Sequence, residues 1–179
     1  WVTAGPNGAV WATEQAFNVA EVSSAGVVTE FPAPRDESDL AGIAQGADGN
    51  LWMAEWTYSL PSCAGEILRM TPTGSFTAFA LTGYAPTQLA EGPDGNIWFA
   101  SNACPGEPPA LGRITPSGAV TMFPVAACCG GGPYAVTSGP DGNLWFTMGA
   151  GVGKMTTEGV PTLYTGNAGG DIENEITTG

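Results

Sequence analysis

The hydrophobic pattern of this chain breaks into short β-rich runs separated by turn signals. In one stretch, "TQLAEG" passes through Pro93-Asp94-Gly95 into "NIWFASN", and "LGRITPSG" is then followed by "AVTMFPVA". Asp-Gly between two such runs marks a tight hairpin, because glycine readily adopts the positive φ that the turn needs. No sustained period of about 3.6 residues, which would indicate helices, runs through the chain. The pattern predicts four short antiparallel strands in this stretch.

The same unit occurs four times. Its most recognisable phrase reads "GPNGAVWA" from Gly5, "GADGNLWM" from Gly46, "GPDGNIWF" from Gly92 and "GPDGNLWF" from Gly139, at intervals of 41, 46 and 47 residues. Units of this length with four strands each predict an all-β fold, a β-propeller with four blades of four antiparallel strands. We expect one domain over 1–179, with blades at approximately 1–39, 40–86, 87–133 and 134–170 and a surplus inner strand at 171–179. Both a closed four-blade ring and a part of a longer array fit this pattern.

One tryptophan occupies the same position in each unit. These residues are Trp11, Trp52, Trp98 and Trp145, on the second strand. A large aromatic side chain at a fixed place in every blade predicts a filler of the gap between neighbouring blades, and the alternative is a ring of aromatics for sugar stacking. The aspartate of the turn, as in Asp94, suits the shaping of a turn better than an isolated calcium site.

The charge of the chain is strongly acidic. It has 4 Lys+Arg against 17 Asp+Glu and a net charge of −13. Nucleic acid and anionic membranes are poor partners for such a surface, because phosphate groups are bound through basic side chains. No apolar run reaches the roughly 20 residues that a membrane helix needs, so we expect no membrane insertion.

The four cysteines, Cys63, Cys104, Cys128 and Cys129, predict disulfides and an extracellular or cell-surface location. Their loops are expected at one face of the disc, and a bond between the neighbours Cys128 and Cys129 would form a strained ring. Cys63 is therefore expected to pair with one of these two and Cys104 with the other. An all-cysteine zinc site and a reactive redox pair are the alternatives.

The repeat resembles that of the streptogramin lyase (virginiamycin B lyase) family of propellers. The phrase "GPDGNLWFT", a following strand of the type "LGRITPSG" and then "AVTMFPVA" carry this resemblance, which extends over all four units. It implies a propeller that usually has seven blades. It also implies a lyase site with histidine as general base and with glutamate and Mg²⁺ at the centre.

Candidate chemistry in the sequence is sparse. The chain contains no histidine, so the general base that the resemblance implies has no counterpart here. The glutamate that ends this strand in the family has counterparts in Glu14 and Glu55. They are interpreted as residues of the strand end, and the alternative is that they bind a ligand or cation. The alternating Asp171, Glu173 and Glu175 could hold a surface Ca²⁺ but lack the pattern of an EF-hand. We therefore predict a chain that is not an enzyme and has no cofactor.

The ends of the chain suggest self-association. The first-strand pattern occurs five times, as "WVTAG" at the start and again as "NEITTG" at the end, and an unpaired strand is a template for another chain. The predicted assembly strand comprises Asn174, Glu175, Ile176, Thr177 and Thr178.

Two functions of different class follow. The first is a non-catalytic extracellular structural module whose partner is itself, in an oligomer, surface layer or fibre. The second is a ligand-binding or lyase-like propeller, fragmentary or reduced, for which the inner strands offer Gln45, Gln88 and Glu91.

Overall fold

The fold is all-β, as the repeat predicts. The computed structural model describes residues 1–14, 18–34, 39–57, 64–126, 132–149, 151–165 and 176–177. The described strands form four antiparallel sheets of four strands each, and each sheet follows chain order from its first strand to its fourth. This confirms the predicted fold class. No helix in these ranges is long and apolar enough to cross a membrane.

Each sheet corresponds to one sequence unit. Sheet 1 comprises β1 (Val2–Ala4), β2 (Val10–Thr13), β3 (Asn18–Val22) and β4 (Val28–Pro32), with a short 3₁₀ turn at Pro6–Gly8. Sheet 2 comprises β5 (Asp39–Gln45), β6 (Leu51–Thr57), β7 (Ala64–Met70) and β8 (Phe76–Thr82). Sheet 3 comprises β9 (Tyr84–Glu91), β10 (Ile97–Ala103), β11 (Ala110–Ile114) and β12 (Val120–Pro124). Sheet 4 comprises β13 (Pro133–Ser138), β14 (Leu144–Met148), β15 (Gly151–Met155) and β16 (Pro161–Thr165).

Two first strands begin slightly before the predicted blade boundaries. Strand β5 begins at Asp39, which pairs with Trp56, and β9 begins at Tyr84, which pairs with Ala103. The ladders of these two strands continue one and three residues further towards the preceding loop than the blade boundaries expected at 40 and 87.

The turn between the first two strands of sheets 2 to 4 has the conformation that Asp-Gly predicts. Gly49, Gly95 and Gly142 have φ values of 73°, 72° and 73°. In the first of these turns the Gly49 amide donates to the Gly46 carbonyl at 2.9 Å. Glycine is needed at this position, because a side chain disfavours positive φ.

The core lies between the sheets. One cluster joins Trp11 and Val19 of sheet 1 to residues of sheet 2 such as Leu51. Two further clusters join sheet 2 to sheet 3 and sheet 3 to sheet 4, and Trp52 and Trp98 belong to them respectively. Face-to-face packing of twisted sheets around an axis is the construction principle of a propeller.

Candidate functional site

The four first strands lie at the inner side of the sheets. Strand β5 contacts both β1 and β9, and β9 in turn contacts β13. The first strands therefore run side by side in chain order.

Side-chain hydrogen bonds tie β9 to β13. Thr87 Oγ1 donates to the Tyr134 carbonyl at 2.9 Å, and the Ser138 hydroxyl donates to the Glu91 carbonyl. The amide of Val136 donates to Gln88 Oε1 at 2.6 Å. These contacts join side chains of one inner strand to the backbone of the other, and they fix the relative position of the two strands.

A bulge sets the direction of the Gln88 side chain. The register between β9 and β10 shifts between Phe99 and Ser101, which leaves Thr87 and Gln88 opposite the single residue Ala100. An extra residue of this kind re-aims a side chain relative to the regular alternation of a strand. The bulge therefore directs Gln88 away from its own ladder.

Sheet 2 has the same irregularity at the equivalent place. Its register shifts between Ala41 and Ile43, so that Gly42 is the extra residue, with a φ of 58°. A Cβ at Gly42 would lie 3.1 Å from the Cα of Gln88. Glycine allows the backbone of β5 to approach β9 directly behind Gln88.

A central cavity of about 590 Å³ lies at these inner strands. Among the described residues, its lining comprises Trp1, Val2, Gln88, Ile176 and Thr177. Trp1 is 47% exposed and Val2 is 68% exposed. Cavities of roughly 300–1,000 Å³ with mostly apolar walls and a few fixed polar groups are typical of small-molecule sites. An indole, two aliphatic side chains, one hydroxyl and one amide suit an apolar ligand that also carries hydrogen-bonding groups.

Of the polar inner-strand residues singled out in the sequence, only Gln88 lines this cavity. Gln45 is half-buried and Glu91 is exposed. Trp1 and Val2 were not predicted as site residues. An apolar side chain indicates a ligand site only when it is exposed, and the sequence alone does not show that Trp1 and Val2 are exposed.

The two strand-end glutamates lie in different environments. Glu14 is exposed, whereas Glu55 is 1% exposed. Glu55 pairs across the sheet with Glu66 of β7, so that two acidic residues occupy directly opposite positions. Glu66 was not predicted from the sequence. Aligning "LWMAEWT" antiparallel to "AGEILRM" places their two glutamates opposite each other, so the sequence could have indicated this pair. Within the described ranges, no group of three or more acidic, cysteine or histidine side chains could hold a metal ion.

Several predicted residues fall partly or wholly outside the described part of the chain. Cys104 is buried and forms a disulfide. The predicted site residues that lie outside the described ranges are Cys63, Cys128, Cys129, Asp171, Glu173, Asn174, Glu175 and Thr178. Ile176 and Thr177 are described, carry no strand assignment and line the cavity.

The repeated tryptophans are positioned by the aspartate of the preceding turn. Trp52, Trp98 and Trp145 each donate the indole Nε1–H to the aspartate four residues earlier, at 3.2, 3.0 and 3.0 Å. Desolvation by burial raises the pKa of Asp94, but hydrogen bonds from Asn96 and Trp98 outweigh it and hold that pKa below the ordinary 3.8. The aspartates therefore shape their turns and orient the indoles.

The tryptophans differ in exposure. Trp11, Trp52 and Trp98 are at most 1% exposed, whereas Trp145 and Trp56 are half-buried. Three of the repeated indoles thus lie within the packing between sheets, where a sugar could not reach them.

Comparison with known proteins identifies the repeat. The model of the virginiamycin B lyase family matches residues 1–170. No curated protein sequence matches the chain.

Solved structures match the fold closely. The virginiamycin B lyase of Staphylococcus aureus superimposes with a TM-score of 0.78 at 29% identity, over 94% of this chain and 55% of the lyase. A catalytically inactive histidine-to-alanine variant of that lyase, crystallised with quinupristin, gives a TM-score of 0.78 at 30% identity, over 93% of this chain and 55% of the variant. A streptogramin B lyase structure gives 0.77 at 29% identity, over 94% and 54%. The chain therefore spans little more than half the length of the lyases it matches.

Proposed function

The chain belongs to the virginiamycin B lyase family, and we propose that its four sheets bind a ligand as part of a lyase-like propeller. The observation that carries this proposal is the superposition on the lyases over 93–94% of the chain at 29–30% identity. This similarity favours the ligand-binding function over the structural module that the sequence first suggested.

The proposed ligand is a cyclic depsipeptide of the quinupristin type. One matching lyase structure contains quinupristin. The lining of the central cavity is compatible with such a ligand, because Trp1, Val2 and Ile176 offer apolar contacts and Gln88 offers an amide. The carbonyl of that amide accepts from Val136, which holds the side chain in one orientation and leaves its NH₂ group to donate.

We propose that the 179 residues bind this ligand without cleaving it. The matching inactive lyase has lost a histidine, and this chain contains none. Histidine is the usual general base near neutral pH, and its absence removes the proton acceptor that the resemblance implies. The disulfide of Cys104 supports a location outside the reducing cytosol, which stays a prediction.

Titration calorimetry with quinupristin tests the proposal. We expect saturable binding and, by mass spectrometry, recovery of the intact ring with or without Mg²⁺. Val2→Glu should weaken binding at least tenfold. Val28→Glu is the matched control, because Val28 is an exposed valine, at 59% against 68% for Val2, on the outermost strand of the same sheet. The absence of binding, or an equal loss in both variants, would refute the proposed site.

A further inference from the structure

Three consecutive inner strands share an irregular position at which their residues differ. Gly42 of β5, Gln88 of β9 and Ala135 of β13 each stand four residues before the first glycine of the repeat phrase. In all three sheets the ladder to the second strand shifts its register at this position. One of the three residues lacks a side chain, one carries a methyl group and one carries an amide. Of these three, Gln88 lines the cavity.

The contact with β13 fixes which end of the Gln88 amide is available to a ligand. The backbone amide of Val136 donates to Gln88 Oε1 at 2.6 Å. Because a backbone N–H can only donate, the oxygen of the carboxamide faces Val136 and the NH₂ group is directed elsewhere. Within the described part of the chain, this NH₂ group has no hydrogen-bond acceptor. Gln88 therefore offers the cavity a donor of fixed orientation.

The contact with β5 fixes the backbone that carries this side chain. A Cβ at Gly42 would lie 3.1 Å from the Cα of Gln88 and 3.2 Å from the carbonyl oxygen of Thr87. Both are backbone atoms, which cannot rotate aside as the end of a long side chain can. A side chain at position 42 would therefore push β9 away from β5 and displace Gln88.

We infer that Gln88 is the specificity-determining residue of the cavity, that its NH₂ group binds a carbonyl oxygen of the ligand, and that Gly42 is a positioning residue for it. This inference rests on the proposed binding of a cyclic depsipeptide, whose backbone offers ester and amide carbonyl groups. The apolar walls contact such a ring without directional preference, whereas a hydrogen bond requires its acceptor at one place. The hydroxyl of Thr177 both donates and accepts, so it selects less strictly than an NH₂ group that can only donate.

Titration calorimetry of quinupristin with paired glutamine variants tests the role of Gln88. Gln88→Glu keeps an oxygen for the Val136 amide but lacks the NH₂ group, so we expect the Kd to rise by about tenfold, the effect of losing one hydrogen bond. Gln45→Glu is the matched control, because it adds the same charge at a half-buried glutamine of β5 that is not among the described lining residues. It should leave the Kd unchanged. Equal Kd values for the two variants would overturn the role of Gln88.

Paired glycine variants test the role of Gly42. Gly42 and Gly49 belong to the same sheet and have φ values of 58° and 73°, so alanine introduces similar backbone strain at either position. A Cβ at Gly49 would meet no atom within 4 Å, whereas one at Gly42 would meet the backbone of β9. We expect both alanine variants to unfold at lower urea concentration, and only Gly42→Ala to raise the Kd for quinupristin.

The NMR resonances of the Gln88 NH₂ group report on its position directly, and their loss in Gln88→Glu identifies them. They should shift in Gly42→Ala without ligand, remain in place in Gly49→Ala, and shift in a saturable manner when quinupristin is added to the wild type. Resonances that stay in place in Gly42→Ala, or equal Kd values for the two glycine variants, would overturn the positioning role of Gly42. The comparison of Gln88→Glu with Gln45→Glu does not depend on the folding of Gly42→Ala.

The outcomes separate this inference from the proposed function. A wild-type protein that does not bind quinupristin would refute the ligand binding and the inference together. A wild-type protein that binds quinupristin while Gln88→Glu binds it equally tightly would overturn the inference and leave the proposed function in place.

Discussion

Trp98 donates its indole Nε1–H to Asp94 Oδ1 at 3.0 Å, and this bond links the turn between β9 and β10 to the packing between two sheets. The carboxylate also accepts from the Asn96 side chain at 2.8 Å. Trp98 itself is fully buried. One aspartate therefore shapes the turn and satisfies a polar group that would otherwise be buried without a partner.

Replacement of Asp94 should reveal this double role. We expect Asp94→Ala to lower the free energy of unfolding by about 1–3 kcal/mol, the usual cost of leaving a buried donor unsatisfied. Asp94→Asn should cost less, because its carbonyl oxygen still accepts from Trp98. Urea unfolding followed by circular dichroism measures both values. Equal losses in the two variants would show that the charge matters more than the hydrogen bond.

The same aspartates predict a loss of stability in acid. Hydrogen bonds from Trp52 and Asn50 hold the pKa of Asp48 below 3.8 against desolvation, and the hydrogen bond from Trp145 lowers that of Asp141. A carboxyl with a lowered pKa in the folded state stabilises the fold above the unfolded pKa, and this contribution is lost as pH falls below about 3.8. The difference in unfolding free energy between wild type and Asp94→Asn should therefore shrink between pH 5 and pH 2. A constant difference over this range would contradict the assignment.

The first unit lacks the hydrogen bond from tryptophan to aspartate, and introducing it should raise the free energy of unfolding. Asn7, with a φ of 62°, stands where the other units have aspartate, and the buried Nε1 of Trp11 has no hydrogen-bond partner among the described residues. Restoring the repeat phrase with Asn7→Asp and Ala9→Asn together should stabilise the protein by about 1 kcal/mol, the typical net value of one hydrogen bond. Asn7→Asp alone should give less, because the Ala9 position supplies the asparagine that caps the turn in the other units. A destabilised double variant in urea unfolding would show that the first turn cannot adopt the common conformation.

Packing between adjacent strands depends on a large residue opposite a glycine. Phe99 pairs with Gly112 across the sheet, and a Cβ at Gly112 would lie 2.0 Å from the Phe99 ring. Gly112→Ala should cost about 1–3 kcal/mol through overpacking. Adding Phe99→Leu should recover part of this loss, because sheet 2 uses Met53 opposite Leu68 at the same positions. Additive losses in the thermal unfolding of the double variant would contradict this packing relationship.

The sequence predicted the parts of the fold that depend on local pattern. The strand order and the glycine turns follow from alternation and from the φ requirement at residues such as Gly95. The direction of Gln88 could not be predicted, since it depends on a bulge in the ladder between two strands. The exposure of Trp145 could not be predicted either. Its position repeats that of Trp98, but its burial depends on whether another sheet covers it.

The most direct test of the proposed ligand site is the NMR spectrum of the six indole N–H groups during titration with quinupristin. Trp1 lines the cavity, whereas Trp52 and Trp98 are buried and hydrogen-bonded to aspartates. We expect the Trp1 resonance to shift in a saturable manner while those of Trp52 and Trp98 remain in place. An unchanged Trp1 resonance at ligand excess, or shifts confined to other indoles, would contradict binding at the central cavity.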